Sequence, residues 1–357
     1  MAITLNQHRM GVTQTLIARF SDSKEPRQGL SSLFPHVTTA NKQVSIEVER
    51  NKQLVAVDVE RCTDPVRNIF RKSTEKIFVP PYYNEMFDFT SCERYDVTFG
   101  SGNVPTKPDA AMLINDGYNK AKVLRDKILR AIELQRSQVL QTGIVTLKNG
   151  DSIDYKRKVG SFKVNATTEN WNTATATPFE DIEAGMEFLR DEGLSAGTHI
   201  NAIFGKRAYA TFVNNEKVQK SADIRRIDRM SIGMPQFNNV TGMAFQGQFA
   251  AGDFTINIWT YNESYLDPAD NSTRKLYINQ DNVILVADDF VGKTAFAGVP
   301  AILGDPEIGN YVGTLEAEFY YRDVIDQKKL AWEFFVSSAP LVIPVSIDRI
   351  YTLTTRS

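Results

Sequence analysis

The sequence predicts an α+β protein, on three observations. One run, residues 109–142, keeps a helical repeat for about 33 residues. Several shorter runs alternate apolar and polar residues. The helical signals also sit apart from a strand-rich C-terminal half instead of alternating with it.

Residues 1–43 read as an arm. They are mostly polar, interrupted by Pro26, Gly29 and Pro35, with one short helix-like stretch near Val12 to Phe20 and with Leu30, Leu33 and Phe34 as docking residues. In residues 44–60, Val44, Ile46 and Val48, then Val55, Val57 and Val59, alternate with polar partners on either side of Arg50-Asn51-Lys52-Gln53, which predicts a long hairpin. Arg67, Arg71, Lys72 and Lys76 follow against Glu75 alone, a local basic excess before Pro80-Pro81 halts regular pairing. A polar-edged hairpin with no helix to cover it is expected to lie against a neighbouring molecule. Read from charge alone, a solvated face is the lesser alternative for the same basic run.

A second strand run, Phe87 to Phe99, leads through Gly100-Ser101-Gly102 into the long helix. Ile114, Tyr118, Ala121, Leu124, Ile128, Ile132, Gln135 and Val139 recur at three- and four-residue steps, and Gly143 is the expected C-cap. At 1.5 Å per residue such a helix is a rod of about 50 Å. Asn149-Gly150 predicts a type I′ turn between Ile144–Leu147 and Ile153–Val159. Residues 160–176, rich in Thr and Asn around Trp171, read as a linker. Thr177-Pro178-Phe179-Glu180 predicts a capping box with proline at N1, opening a helix that ends at Gly193. A strand at Ile200–Phe204 and a helix at Lys206–Val213 come next. Beyond residue 240 strands dominate: Phe254–Trp259, Val283–Ala287, Phe319–Tyr321, Trp332–Val336 and Leu341–Val345.

Composition narrows the function classes. The 357 residues are 42% hydrophobic and 24% charged, an ordinary globular balance. Forty-one basic against 43 acidic residues give a net charge of −2, without the basic excess of a protein that grips nucleic acid by its phosphates. Cys62 and Cys92 make no disulfide framework and fit a reduced compartment. No apolar run reaches signal-peptide or membrane-spanning length, so a soluble chain, intracellular when made, is expected, with no membrane partner.

The motifs that resemble chemistry fail on context. Gly193-Leu194-Ser195-Ala196-Gly197 spells the nucleophile elbow of the α/β-hydrolases, which needs a strand before the serine and a helix after it; here the order is reversed. Gly292-Lys293-Thr294 resembles the end of a phosphate loop, but the glycine required five positions earlier is Ala287 and a strand follows, not a helix. Asp288 and Asp289 have no nominated partners, and three histidines with two cysteines show no zinc spacing. No catalytic, cofactor-binding or metal residue is nominated. The expectation is a non-enzyme without cofactor, with a serine hydrolase using Ser195 as the weakest alternative.

The order of parts, and several segments in detail, resemble the lambda-like major capsid proteins (capsid protein E family) of tailed bacteriophages. The resemblance rests on Phe34-Pro35-His36-Val37-Thr38-Thr39 before Val44, and on Ile77-Phe78-Val79-Pro80-Pro81-Tyr82. It rests also on Val139-Leu140 through Gly143 with Asn149-Gly150, Asp154-Tyr155 and Gly160, and on Phe296-Ala297-Gly298-Val299 and Ser338-Ala339-Pro340-Leu341-Val342. It covers nearly the whole chain and implies a Johnson-type capsid fold. On that fold residues 1–43 are an N-terminal arm and 44–82 an extended loop. Residues 83–179 with 313–336 form a peripheral domain with a spine helix, and 180–312 with 337–357 an axial domain. The implied function is that of a major head protein, assembled in the host cytoplasm through pentamers and hexamers into an icosahedral shell around double-stranded DNA. Scaffolding, portal and decoration proteins are the implied partners. Arg50, Lys52, Arg67, Arg71, Lys72 and Lys76 become candidates for contact between subunits. An encapsulin-like compartment shell, which shares the fold, is the alternative.

Overall fold

The structure, a computed structural model, describes residues 26–48, 74–90, 110–147, 150–222, 230–251, 253–270, 272–305, 309–329 and 331–356. Among these, four α-helices occur: α1 (Ala110–Thr142), α2 (Pro178–Asp191), α3 (Lys206–Asn214) and α4 (Glu216–Ala222). The mixed helix and sheet content is the α+β class that the sequence predicts.

A seven-stranded mixed sheet forms the centre. Its order is Phe162–Val164, Ile350–Thr354, Asn282–Ala287, His199–Phe204, Phe254–Tyr261, Met243–Ala251, Met230–Phe237. An inner strand, Asn282–Ala287, is buried at every residue, and the two-residue period of a strand divides it between two cores. Ile284 and Val286, with Ile203 and Ile350, face the C-terminal half of α1 through Ile128, Ile132, Val139 and Leu140. Val283 and Leu285, with Ala202, Phe204, Tyr351 and Leu353, face α2 and α3 through Ile182, Met186, Leu189 and Phe212. Gly185 lets α2 lie close: a Cβ there would come within 2.7 Å of Leu285 and Tyr351 side chains.

α1 also carries a second, three-stranded antiparallel sheet in the order Tyr320–Asp326, Ala331–Ser338, Tyr83–Thr90. There Phe87 stacks on Phe334 at 5.0 Å. The predicted α1 face is confirmed where its side chains are described: Ile128, Ile132, Gln135 and Val139 are buried. Gly143, at φ +72°, ends the helix, its N–H bonded to the Val139 carbonyl at 3.0 Å.

Val44–Val48 pairs antiparallel with Thr74–Phe78, while residues 49–73, which include the expected partner 55–60, lie outside the described residues. Three local expectations are corrected. The turn after Leu147 encloses three residues: Leu147 N–H bonds Asp151 O, Gly150 N–H bonds Leu147 O, and Gly150 sits at φ +83°. That is a bulged turn in place of type I′, and the return strand ends at Asp154, short of Val159. Thr177 makes no side-chain cap, although Pro178 does occupy the first turn of α2. Residues 160–176 are no linker, because Phe162–Val164 adds a parallel edge strand to Ile350–Thr354 and Trp171 is buried against Phe204 and Phe212.

Candidate inter-subunit surfaces and the root of the arm

The described part of the expected arm, residues 26–43, is fastened to the body. Gly29–Leu33 forms a short 3-10 turn that buries Leu30 and Phe34 completely. Two such side chains contribute about 3–6 kcal/mol of burial between them. Gly29 lies so close to Tyr261 and Met243 that a Cβ would fall 2.6–2.7 Å from their atoms. His36–Thr38 then continues as a parallel strand beside Gly292–Phe296, which pairs in turn with Pro340–Pro344.

Beneath this turn lies a buried ion pair on α1, with Arg136 Nη1 3.0 Å from Glu133 Oε2. Glu133 accepts from the Leu30 amide (2.9 Å) and the Tyr261 hydroxyl (2.9 Å). Arg136 donates to Gln28 Oε1 (2.9 Å), to Thr294 Oγ1 (3.2 Å) and to His36 Nε2 (3.0 Å). Burial raises the Glu133 carboxyl above its ordinary range, and the Arg136 guanidinium is the largest influence pulling it back. Arm, helix and sheet thus meet at one pair of charges. Neither residue is nominated by the sequence, because charges three apart on a helix usually face water and nothing local marks this pair as buried.

The motif residues are structural. Ser195 follows α2 and precedes the strand His199–Phe204, the reverse of a nucleophile elbow. Its hydroxyl donates to Asp289 Oδ1 at 2.8 Å, and Arg349 clasps the same turn through the carbonyls of Leu194 (3.2 Å) and Asp289 (2.8 Å). Asp289 is therefore an anchor and not merely a solvated turn residue. Leu194 takes the left-handed conformation (φ +52°), whereas Gly193 is needed for space, since a Cβ would lie 2.6 Å from the carbonyl oxygens of Leu189 and Asp348. Lys293 sits within the strand Gly292–Phe296, with no helix after it to hold a phosphate. Among the described residues no group of three or more His, Cys, Asp or Glu is placed to hold a metal ion, and no helix is long and apolar enough to cross a membrane.

Arg50, Lys52, Arg67, Arg71 and Lys72 lie outside the described residues; Lys76 falls in the strand Thr74–Phe78, opposite Ile46. The surface features visible instead are apolar. Val159 and Val164 are exposed at one edge of the central sheet, and Met234, Phe237 and Val240 at the other. Ile77 lies in the strand Thr74–Phe78 with Val79 and Tyr82 just beyond it, Met86 lies in the strand Tyr83–Thr90, and Val312 stands out on the hairpin formed by Val299–Asp305 and Gly309–Leu315. Met234 is 92% exposed and Val159 88%. The run Ile77-Phe78-Val79 carries part of this set, and only Phe78 of the three turns inward.

The profile of phage major capsid protein E matches residues 13–355. The chain belongs to that family. Its fold is the phage capsid fold: a prophage protein of Escherichia coli CFT073, described as a capsid protein, is similar over 99% of both chains at 17% identity and a TM-score of 0.56. A phage-related protein of Bordetella bronchiseptica RB50 is similar over 96% of both at 12% identity and a TM-score of 0.50. An encapsulin of Synechococcus elongatus PCC 7942 reaches only 0.40 at 10% identity, covering 96% of this chain and 95% of its own, too slight a likeness to weigh. No curated protein matches. This capsid protein is thus a structural component of a bacteriophage.

Proposed function

We propose that copies of this capsid protein assemble through pentamers and hexamers into a closed icosahedral shell that encloses double-stranded DNA, and that it performs no catalysis. The observation that carries the reading is the placement of exposed apolar side chains at opposite edges of one sheet, Val159 and Val164 against Met234, Phe237 and Val240. Unlike patches at opposite ends of a subunit make head-to-tail contacts, and such contacts close into rings when the rotation allows. On this reading residues 180–312 with 337–357 surround the ring centres, and residues 83–179 with 313–336 form the periphery. Residues 1–43 and 44–82 reach across neighbours, with Arg50, Lys52, Arg67, Arg71, Lys72 and Lys76 at contacts between subunits. Weak contacts summed over many copies allow errors to dissociate during growth. The net charge of −2 suits a container: a strongly basic wall would pin DNA by counterion release, while a weakly charged one lets it slide. Scaffolding, portal and decoration proteins are the expected partners, assembly is in the host cytoplasm, and the destination is the virion.

Negative-stain microscopy of the full chain, expressed with and without a scaffolding partner, tests the reading. Closed particles are expected. Their cargo decides between shell types: DNA supports a phage head, and a packaged enzyme would overturn it in favour of a compartment shell.

A further inference from the structure

We infer that His36 is a pH-sensitive latch that holds the root of the arm to α1 when neutral and releases it when protonated. The inference does not rest on shell assembly, because every group involved belongs to one chain.

The protonation state follows from the partners. Arginine has only donors, so the 3.0 Å contact between Arg136 Nη2 and His36 Nε2 requires a bare nitrogen on the imidazole. The proton therefore sits on Nδ1, which donates to Glu318 Oε1 at 3.0 Å. Neutral His36 in this tautomer bridges helix α1 to the segment that leads into the strand Tyr320–Asp326 of the three-stranded sheet. It also fixes the first residue of His36–Thr38, the strand that docks beside Gly292–Phe296.

A second proton would place an N–H at Nε2 against an N–H of Arg136. The groups around His36 decide the outcome. Glu318 favours the imidazolium, but its side chain is 42% exposed, so water and salt weaken the attraction. Glu316 is one residue pair further along, occupied by Thr38 Oγ1 at 2.7 Å. Arg125 stands beyond two aromatic rings, over Phe319, which meets Phe296, whose ring edges His36 at 5.2 Å. Arg136 is fully buried and acts unscreened at contact distance. Glu133 offsets the guanidinium charge at longer range, but it does nothing for two donors facing each other at 3.0 Å. The donor clash wins. Acid therefore weakens the hold of α1 on residues 27–38, the segment that leads into the strand Val44–Val48.

Hydrogen exchange of the full chain at pH 7.5 and pH 5.0, corrected for intrinsic rates, reads this on peptides covering residues 27–38. Wild type is expected to exchange about tenfold faster there at the lower pH, the loss of one charge-assisted hydrogen bond. In His36→Gln the carboxamide oxygen accepts from Arg136 and its NH2 donates to Glu318, so protection should be the same at both values. Equal exchange of wild type at the two pH values would overturn the latch. So would an undiminished acid response in His36→Gln, since His8 and His199 remain in that variant. If the variant does not fold, the imidazole nitrogens of wild type decide by NMR: a bare Nε2 at neutral pH supports the latch, and a protonated Nε2 refutes it.

Discussion

Replacing Arg136 by methionine tests how the arm is rooted. The guanidinium has no exposure and donates to Glu133, Gln28, His36 and Thr294. Methionine fills most of its volume but leaves the Glu133 carboxylate buried, with only the Leu30 amide and the Tyr261 hydroxyl to hold it. An uncompensated buried charge of this kind costs about 3–5 kcal/mol. Urea unfolding of the unassembled chain, followed through Trp171, Trp259 and Trp332, reads the loss. The cost should depend on pH. Without Arg136 the Glu133 carboxyl, already raised by burial, rises further. A carboxyl whose folded pKa exceeds its unfolded value stabilises the fold at pH below the unfolded pKa and loses that contribution as pH rises through the folded one. Arg136→Met should therefore be least damaging in mild acid and most damaging at neutrality. Glu133→Gln combined with Arg136→Met should recover about 1.5 kcal/mol or more of the loss, because the stranded charge is gone. A single-variant cost below about 1 kcal/mol, or no recovery in the double variant, would mean that the pair is not desolvated as described.

Four further outcomes follow from particular contacts. Gly292→Ala should lower stability by about 1–3 kcal/mol in urea, because its Cβ would lie 2.7 Å from the Leu33 carbonyl and press on the Phe34 ring. Ser195→Ala should cost about 1 kcal/mol through the lost bond to Asp289, and an esterase assay should find nothing to lose. Stability should fall in alkali above the ordinary tyrosine range: burial raises Tyr155, Tyr261 and Tyr277, and pushes Tyr351 up to about 12. The unfolded chain then ionises first, and although burial lowers Arg157 and opposes the trend, four tyrosines outweigh one arginine; a urea midpoint unchanged at high pH would contradict this. Met234→Asp should leave the melting temperature within about 1–2 °C of wild type yet reduce particle yield, and normal particles would remove that edge from the proposed contact.

The elements legible in the sequence were those whose local pattern and tertiary role agree. α1 shows its 3.6-residue repeat because one face packs on two sheets, and Asn282–Ala287 shows an unbroken apolar run because both its faces are covered. What escaped depends on long-range pairing. Nothing local tells Val44–Val48 that it pairs with Thr74–Phe78. Phe162–Val164 is three residues long and reads as loop because its pairing is supplied by the far end of the chain. The Glu133–Arg136 pair was hidden for a related reason: whether two charges on a helix face water or a docked arm is decided by residues more than a hundred positions away. The basic residues nominated for subunit contact rest on the family resemblance, and the described surface adds an apolar set that charge counting could not find.

The mass of the particle formed by the purified full chain tests the central claim most directly, by sedimentation or mass photometry. The subunit is 40.1 kDa. Shell assembly predicts a discrete species of megadaltons, hollow in stain and stable on dilution. A chain that stays at the mass of one subunit in every condition, with a scaffolding partner included, would contradict it.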